Sequence, residues 1–594
     1  MSSATTVTTD ATANPGVTPG VTPEISVIVP VHDVAPWVTD CLSSILTDQD
    51  VNHEVIVIDD ASTDDTWEIV SEFARRDARV RAVRNTGKGG AQARNYGVEL
   101  ARGEYIAFAD GDDIVPRAAY GRMLAAARED RADMVVGGFL KFYTTRTWHP
   151  TASWGAWSRR RSGTTLAKSP SLIRNRACWN RLFRRDFWLG QQIEYPTVPR
   201  SNDVVPMTKA LVGAKSITVL PDVVYLYRNR PGGTSMSSRA SGLAGFESYL
   251  RQELASSELA RAVGSDGLNR EYDELVLLRD GWVHLRGFLE NVASGGKLDD
   301  EELTAPLATL TSLIDQLLGN LTERAEKRVS SRSKWVWALA RAGLWEEAML
   351  LVTDPVAVLV TDEPLTFPAL AGGTSAPVDE KDHRRALSSL LVELTEASEP
   401  PSDDTVERLV KHAELFRRLY PTTVLHWHSA AVQELVLAVQ TGSADTVRRV
   451  LADKPVTITD PQLTVRDKVV TFSATVSPAG RITEATVQTA QGSSRAPFEW
   501  TGLDPHTGQV EATAEVGHLP VGRAFVRLRV RHELGMLDVV VDPTIADDDA
   551  TRRVFRGETN RQVHINPGLM KRALELPRKA GRVARNTVRR LVRS

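Results

Sequence analysis

The chain has 594 residues, of which 42% are hydrophobic and 25% charged, and its formal net charge is −3. This composition is typical of soluble globular proteins, and the length predicts three or four domains. A net charge so close to zero excludes a general polyanion binder, so we expect no nucleic-acid partner. The two cysteines, Cys41 and Cys178, are too few for a disulfide framework or a zinc–cysteine cluster.

The beginning of the chain, residues 1–23, is rich in Thr, Ala, Pro and Gly. It lacks the basic and apolar regions of a signal peptide, so it predicts a disordered leader. No run of 18 or more apolar residues occurs, and the sequence therefore predicts no membrane-spanning helix and a cytoplasmic location.

Short apolar runs alternate with helical stretches between residues 25 and 136. The predicted strands are 25–31, 55–58, 80–83, 105–109 and 133–136, and the predicted helices are about 36–46, 64–75, 89–101 and a stretch from 116. This alternation predicts an α/β fold with a mostly parallel sheet. In such a sheet the ligand site lies beyond the carboxyl ends of the strands. Polar and acidic loops follow three of those ends, at 30–33, 59–62 and 110–113.

The rest of the chain changes its pattern several times. We predict an α/β domain over 24–240, a helical domain over 241–352, a linker over 353–383, a helical segment over 384–452, a small antiparallel β-sandwich over 453–545 and a basic amphipathic tail over 546–594. The tail from residue 571 onward has nine basic residues and one acidic residue. It favours binding to an anionic membrane surface, and the alternatives are binding to an anionic polymer or nucleic acid, or a disordered end.

The motif Asp110-Gly111-Asp112-Asp113 follows the predicted strand 105–109. Carboxylates in this spacing are suitable ligands for a divalent cation and, through it, for a diphosphate. Gly111 allows a close approach of the backbone to a neighbour. Asp and Gly are also ordinary turn residues, so the alternative is a simple turn. The two other polar loops at the same sheet edge favour a ligand site.

Four motif-like segments follow one another along the first part of the chain: residues 26–33 (SVIVPVHD), 58–64 (IDDASTD), 89–97 (GGAQARNYG) and 103–113 (GEYIAFADGDD). In this order they resemble the motifs of family 2 glycosyltransferases with the GT-A fold. Residues 178–183 (CWNRLF), 214–220 (AKSITVL) and 225–230 (YLYRNR) extend the resemblance to about residue 236. Several motifs in a shared order are more specific than any single one. The resemblance implies a GT-A-type sheet and a nucleotide-sugar donor.

The resemblance also implies which residues hold the nucleotide. Pro30 and Val31 would line the nucleobase pocket, Asp60 would accept hydrogen bonds from the base, usually uracil, and Arg94 would contact the nucleotide. For Asp60 the alternative is a helix-capping role. The sequence departs from the family at 32–33, where His-Asp replaces the more usual Tyr-Asn. That departure concerns the fine shape of the base pocket and not the fold.

On the diphosphate side, the resemblance implies that Asp110 holds the ribose or the metal, Asp112 ligates Mn²⁺ or Mg²⁺, and Asp113 faces the donor sugar. Guanidinium groups suit phosphate. The resemblance implies that a loop bearing Arg228, Arg230 and Ser235 closes over the diphosphate. For Arg230 alone the alternative is a solvated surface loop.

Asp203, in residues 200–206 (RSNDVVP), is the candidate catalytic base. A carboxylate that takes the proton of an attacking hydroxyl accelerates the reaction by about 10²–10⁴-fold. The family usually has Glu-Asp at this place, and here the Glu is Asn202. The alternative for both residues is a helix N-cap, which is compatible with catalysis by Asp203.

Together with the resemblance, these features predict an inverting glycosyltransferase that moves a sugar from a nucleotide-sugar onto a hydroxyl of a cell-surface polymer or its lipid-linked precursor. A UDP-sugar is the donor that we favour. The architecture is similar to that of wall teichoic acid glycosyltransferases, with helical and β modules that position a polymeric glycan acceptor or form a homo-oligomer. The basic tail predicts a peripheral position at the inner face of the membrane. The alternatives are a catalytically inactive nucleotide-sugar-binding scaffold, which Asn202 motivates, and a membrane-associated interaction protein.

Overall fold

The computed structural model describes residues 22–48, 51–143, 146–230, 242–295, 301–322, 329–370, 375–397, 399–421, 430–452, 457–467, 469–477, 482–491, 494–497, 499–504, 507–515, 522–532, 535–541, 544–545, 555–559 and 562–565. Most of the predicted leader, Ser235 and the basic stretch 571–594 lie outside these residues. The chain divides into two compact units, one of Met1–Thr353 with Phe367–Ala376 and one of Asp354–Thr366 with Pro377–Ser594. The domain borders drawn from the sequence stay predictions.

A nine-stranded mixed sheet forms the centre of the first unit. Its strands are β1 (Ile25–Val31), β2 (His53–Asp59), β3 (Val80–Arg84), β4 (Tyr105–Phe108), β5 (Met134–Phe142), β6 (Thr147–Trp148), β7 (Arg161–Thr164), β8 (Arg181–Arg184) and β9 (Ile217–Arg228). The order is β3-β2-β1-β4-β8-β5-β9-β7, and β6 pairs with β5. The pairs β1–β2, β1–β4 and β2–β3 are parallel. Strand β8 is antiparallel to both β4 and β5. The predicted α/β fold is confirmed.

Six helices lie between these strands. Four of them are at the predicted places: α1 (Ala35–Leu46), α2 (Thr66–Arg76), α3 (Gly90–Leu100) and α4 (Ala119–Glu129). The other two are α5 (Arg185–Gly190) and α6 (Val204–Gly213). The strand β1 is buried along nearly its whole length, as is β2. Continuous burial of this kind is expected where helices cover both faces of a parallel sheet.

The first unit continues into a helical part that packs on the sheet-bearing part. Its helices are α7 (Leu243–Arg261), α8 (Asp266–Leu278), α9 (Asp280–Gly295), α10 (Glu301–Gly319), α11 (Ser331–Arg341) and α12 (Trp345–Thr353). Buried or half-buried ion pairs connect the two parts, since Arg176 bonds Glu253 of α7 and Arg174 bonds Glu271 of α8. Among the described helices of the chain, none has both the length and the apolar character needed to cross a bilayer.

The second unit contains helices followed by two mainly antiparallel sheets, which confirms the prediction of small antiparallel strands. The helices are α13 (Pro355–Leu359), α14 (Glu380–Glu396), α15 (Asp403–Leu419), α16 (Ala430–Gln440) and α17 (Ala444–Ala452). Beyond the two-residue strands Thr366–Phe367 and Ala376–Pro377, the strands are Thr457–Arg466, Val469–Ser477, Ile482–Gln491, Ser494–Pro497, Glu499–Leu503, Gln509–Glu515, Gly522–His532, Gly535–Val541, Thr544–Ile545, Phe555–Thr559 and Gln562–Ile565.

Two ranges contain regular elements that the sequence analysis did not list. The range 353–383, predicted as a linker, contains α13, because Asp354 caps it by accepting a hydrogen bond from the Ala357 amide and Pro355 occupies its first turn. The range 546–594, predicted as a tail, contains two paired strands at its beginning. Val563 and Ile565 alternate there with polar residues, which is the pattern of a strand and not of a basic helix.

Two buried histidines, His383 of α14 and His412 of α15, meet in the second unit. Their Nε2 atoms are 2.9 Å apart, and Nδ1 of His412 is 3.1 Å from the carbonyl oxygen of Thr361. With His412 donating to that carbonyl, His383 is the donor of the bond between the rings, and both rings are neutral. Burial, together with the neighbouring His412, lowers the pKa of His383 to about 4. Burial also lowers the pKa of His412, against the opposing influence of Thr361 and Asp362.

This pair predicts that the second unit loses stability in acid. The pKa of His383 in the folded chain lies below the value near 6.5 of the unfolded chain. Its contribution to the free energy of unfolding is therefore complete above pH 6.5 and is lost as the pH falls toward the folded pKa. The loss reaches about 3 kcal/mol for His383 when the pH falls from 7 to 4. Thermal unfolding of the full chain across this range should therefore depend less on pH in His383→Gln, which keeps an N–H donor but does not titrate. An equal dependence in both proteins would contradict the prediction.

Candidate active site

The carboxyl ends of β1, β2 and β4 lie side by side, and they bring three polar loops together at one edge of the sheet. The loop after β4 packs directly on the end of β1. A Cβ atom on Gly111 would come within 2.6 Å of Val31 Cγ1, so any larger residue would push the two loops apart. Val31 is thereby buried against the acidic motif, while the neighbouring Pro30 is half-buried.

The carboxylate of Asp60 is bonded inside the protein. Its Oδ1 accepts hydrogen bonds from Asn85 Nδ2 at 2.8 Å and from the Gly89 amide at 2.9 Å, and its Oδ2 is 2.8 Å from the same amide. Gly89 immediately precedes α3 and has a φ of 91°, a left-handed conformation that favours glycine. Asp60 therefore fixes the start of the helix that carries Arg94.

Asp110, which follows β4, forms an ion pair with Arg94 of α3. The distance from Arg94 Nη2 to Asp110 Oδ1 is 2.6 Å, and the guanidinium also lies 5.6 Å from the ring centroid of Tyr195. The backbone N–H of Asp110 donates to the hydroxyl of Tyr225 over 2.9 Å. The Asp110 carboxylate and backbone are thus held from two sides.

Asp112 is held by both arginines of the segment that follows β9. Arg230 Nε donates to its Oδ2 over 2.6 Å, and Arg228 Nε donates to its carbonyl oxygen over 2.7 Å. The Arg230 guanidinium stacks 4.5 Å above the ring of Trp37. Burial raises the pKa of Asp112, and the charge of Asp110 raises it further, although Arg230 opposes both. The two partly buried carboxylates therefore repel each other.

The side chain of Asp113 points into the protein. It is 1% exposed, and its Oδ2 accepts a hydrogen bond from the Tyr225 hydroxyl over 2.9 Å while its Oδ1 accepts one from the Arg228 amide over 2.7 Å. Burial raises its pKa well above the usual range, with Asp112 and Asp110 adding to the effect. These bonds anchor the end of β9 beneath the motif, and the contact of Asp113 with the donor sugar, which the resemblance implies, stays a prediction.

Asp203 stands immediately before α6, on a loop that is pinned to α3. Asn95 of α3 exchanges two hydrogen bonds with the backbone of Tyr195, at 2.8 and 2.9 Å. On the other side, Ser248 of α7 donates from its hydroxyl to the Arg200 carbonyl over 2.8 Å. Asp203 occupies the N-cap position of α6, but its side chain makes no capping hydrogen bond. The carboxylate is consequently not engaged in the capping role that the sequence left open.

The electrostatic surroundings of Asp203 connect it to the acidic motif. Burial raises the pKa of Asp203, Arg94 lowers it, and Asp110 raises it again. The same Arg94 that pairs with Asp110 thus also acts on Asp203. A carboxylate with a raised pKa beside a cationic and anionic cluster is a candidate general base.

Comparison with known proteins identifies the family. Residues 26–188 match the model described as "Glycosyl transferase family 2". Glycosyltransferase GlyG of Streptococcus pneumoniae is 30% identical over 220 residues, which are 35% of this chain and 71% of GlyG. The chain belongs to glycosyl transferase family 2. It is an enzyme family, so the site described above is the candidate active site of a family 2 glycosyltransferase.

Two further proteins are similar to this chain, one over a smaller share of its own length and one at a lower sequence identity. The uncharacterized glycosyltransferase EpsJ of Bacillus subtilis is 30% identical over 218 residues, and the chain spans 61% of its length. A crystal structure of residues 1–349 of S. aureus TarS in complex with UDP-GlcNAc is 20% identical and covers 60% of this chain and 100% of TarS 1–349, with a TM-score of 0.44.

The residues of this family 2 glycosyltransferase fit a divalent cation only in part. Carboxylate oxygens are the ligands that Mg²⁺ and Mn²⁺ prefer, and Asp110 and Asp112 supply them. Their mutual repulsion is a cost that a cation would relieve. Arginines already occupy one oxygen of each, however, and nowhere in the described ranges do three His, Cys, Asp or Glu side chains form a cation site. A cation here would need oxygens from a bound diphosphate.

The structure brings most of the predicted site residues together and adds one that the sequence did not single out. Asp110, Asp112, Asp113, Arg228 and Arg230 form one bonded cluster, and Arg94 connects it to Asp203. The added residue is Tyr225, whose hydroxyl joins Asp113 to the backbone of Asp110. Its place in segment 225–230, which resembles the family, was the only signal. Ser235 lies outside the described residues.

Proposed function

We propose that this family 2 glycosyltransferase transfers a sugar from a nucleotide-sugar, with UDP as the nucleotide, to a hydroxyl of a cell-surface polymer or its lipid-linked precursor, with inversion. The observation that carries the proposal is Asp203. It is a carboxylate with a raised pKa, not engaged in capping, in electrostatic contact with the Arg94–Asp110 pair. These surroundings support a role for Asp203 as the base that deprotonates an acceptor beside a bound donor.

In the proposed reaction the acceptor oxygen attacks the anomeric carbon on the face opposite the nucleoside diphosphate. The new C–O bond forms as the bond to the diphosphate breaks, and Asp203 takes the proton of the acceptor hydroxyl. A single displacement of this kind inverts the anomeric centre. Pro30, Val31 and Asp60 would surround the base, and Arg228, Arg230 and Ser235 would lie by the diphosphate.

A divalent cation belongs to the proposal, as Mn²⁺ or Mg²⁺. Asp112 and Asp110 would hold it, and bound there it would supply positive charge for the departing diphosphate. Arg230 and Arg228 provide positive charge from the chain itself, because their side chains converge on Asp112. The proposed acceptor is presented at the inner face of the membrane, where the basic tail would bind anionic lipid.

A thermal-shift titration of the full chain tests the donor assignment. We expect UDP and UDP-sugars to raise the melting temperature, with a stabilisation of about 2.7 kcal/mol at a concentration of 100 Kd. GDP and CDP are the matched controls, and each titration is run with and without MnCl₂. If no UDP compound stabilises the chain more than GDP or CDP does, the donor assignment is wrong.

The second candidate function is an inactive nucleotide-sugar-binding scaffold, which the Asn202 in place of the family's usual Glu favours. It predicts the same stabilisation by UDP-sugars but no release of UDP from any of them. A coupled assay for free UDP, with a panel of UDP-sugars and water or glycan as acceptor, separates the two functions. UDP release that requires Asp203 would exclude the scaffold.

A further inference from the structure

Three side chains form a row across neighbouring strands near the acidic motif. Lys141 of β5 is directly opposite Trp148 of β6 and directly opposite Tyr227 of β9. Directly paired residues of adjacent strands project from the same face of a sheet. Because strands lie about 4.8 Å apart, the row Trp148–Lys141–Tyr227 extends over about 10 Å. Two aromatic rings therefore flank one cation on a single face.

The ammonium group of Lys141 faces both rings and no acid. Its Nζ lies 5.8 Å from the ring centroid of Trp148 and 5.0 Å from that of Tyr227. Within the described part of the chain it forms no ion pair. The two carboxylates that act on it over longer distance, Asp280 and Asp113, are bonded elsewhere, Asp280 to Arg176 and Asp113 to the Arg228 amide.

The half-buried position of Lys141 is unfavourable for its charge. Burial lowers the pKa of Lys141, and Asp280 and Asp113 only partly offset this effect. A cation that has lost part of its hydration and has no direct anionic partner gains from an anion that binds beside it. The row thus combines an unsatisfied positive charge with flat apolar surfaces.

Trp148 is the exposed end of the row. It is 55% exposed, and within the described part of the chain it is the one aromatic residue among the exposed large hydrophobic residues. More than half of the surface of this residue is therefore accessible to a ligand. An indole face in solvent beside a cation is suited to a ligand that has both an apolar C–H face and a charge, as a substituted sugar does.

The inner end of the row adjoins the candidate active site. Tyr227 precedes Arg228, whose amide donates to Asp113 and whose Nε donates to the Asp112 carbonyl. Trp179 stacks on the ring of Tyr225 at 4.5 Å and lies 5.7 Å from that of Tyr227. Continuous aromatic contacts therefore lead from the hydroxyl that bonds Asp110 and Asp113 out to the row.

We propose that the row Trp148–Lys141–Tyr227 is an acceptor subsite for a glycan segment that carries a phosphate or a carboxylate. The inference rests on the proposed glycosyl transfer, because it places the acceptor next to the donor motif. Lys141 binds the anionic group, and the ring of Trp148 stacks against the adjoining sugar or polyol. The subsite selects anionic glycans over neutral ones of the same length.

Binding to the full chain tests this subsite with three probes: an oligomer of glycerol phosphate, a hyaluronan tetrasaccharide and the neutral chitotetraose. We expect at least one anionic probe to bind at least tenfold more tightly than chitotetraose. Trp148→Ala and Lys141→Gln should each weaken that probe about tenfold or more, whereas Lys141→Arg should keep most of the affinity. Lys168→Gln, which removes an exposed lysine away from the row, is the matched control. The phosphate and carboxylate probes distinguish the two anion sources.

A UDP titration of the same samples separates this inference from the proposed function. If UDP binds but the anionic probes bind no better than chitotetraose, the subsite is wrong and the donor assignment stands. The subsite is equally wrong if Trp148→Ala and Lys141→Gln bind the probe as tightly as Lys168→Gln. If an anionic probe binds through Lys141 and Trp148 while no UDP compound binds, the subsite is supported and the proposed function fails.

Discussion

Replacing Asp203 by asparagine is expected to lower the rate of sugar transfer by about 10²–10⁴-fold, with little change in the affinity for UDP. The amide keeps the size of the side chain and cannot accept the proton of the acceptor hydroxyl. Since Asp203 makes no capping hydrogen bond to α6, the substitution should also leave the helix in place. UDP release from the preferred UDP-sugar measures the rate, and calorimetric titration with UDP measures the affinity.

The pH dependence provides a second readout of the same residue. Asp203 accepts a proton only when it is ionised, so the rate should fall as the pH falls through its pKa. Because burial raises that pKa, the acid limb of the kcat/KM profile should lie above the value near 3.9 of an ordinary aspartate. In Asp203→Asn this limb should disappear from the residual activity.

An exposed aspartate supplies the control. Asp186 lies in the first turn of α5, exposed to solvent, and Asp186→Asn should retain the native rate and acid limb. General bases typically accelerate a reaction by about 10²–10⁴-fold. If Asp203→Asn keeps more than about a tenth of the native rate, the loss is too small for a general base, and the assignment of Asp203 is wrong. Loss of UDP affinity together with the rate would instead point to a role in donor binding.

The parallel half of the sheet could be predicted from the sequence because burial on both faces leaves a simple pattern. The run 25–31 is apolar almost throughout, and β1 occupies the same residues. The strand predicted at 55–58 extends to Asp59 in the structure and starts earlier, at His53. His53 and Glu54 are buried polar residues, and Glu54 is accommodated by Arg102 and Ser26, which a local pattern does not reveal.

The candidate site could be predicted only as a set of residues and not as an arrangement. The acidic motif was visible, but Asp113 turns inward to Tyr225 and Arg228, residues more than a hundred positions away in the chain. The row of Trp148, Lys141 and Tyr227 was not predicted, since β6 has two residues and carries no periodicity. Such features depend on which strands become neighbours, and that is decided by tertiary packing.

The buried pair of Arg176 and Glu253 was also absent from the sequence analysis, and it carries the largest expected effect on stability. Arg176 Nη1 is 2.6 Å from Glu253 Oε1, and the two side chains are 3% and 0% exposed. The Tyr272 hydroxyl donates to the same carboxylate. Burial by itself would raise the pKa of Glu253, but the charge and hydrogen bond of Arg176 hold it below its usual value.

Arg176→Met is therefore expected to lower the free energy of unfolding by about 3–5 kcal/mol at pH 7, because it leaves a buried carboxylate without its cation. Arg174→Met is the comparison variant, since Arg174 pairs with Glu271 and Glu274, whose side chains are 25% and 16% exposed. That substitution should cost less than Arg176→Met, because water still reaches both carboxylates. Urea unfolding followed by near-ultraviolet circular dichroism measures both, and equal costs would contradict the assignment.

The response to acid identifies the cause of the loss. In the native chain the pKa of Glu253 is lowered, so its contribution is present above the unfolded pKa and is lost as the pH falls through the folded one. In Arg176→Met burial is no longer opposed by the arginine, and the folded pKa rises above the unfolded value. The variant should then recover stability relative to the native chain as the pH falls toward 5. Arg176→Met combined with Glu253→Gln should recover it already at pH 7, because no buried charge remains to be neutralised.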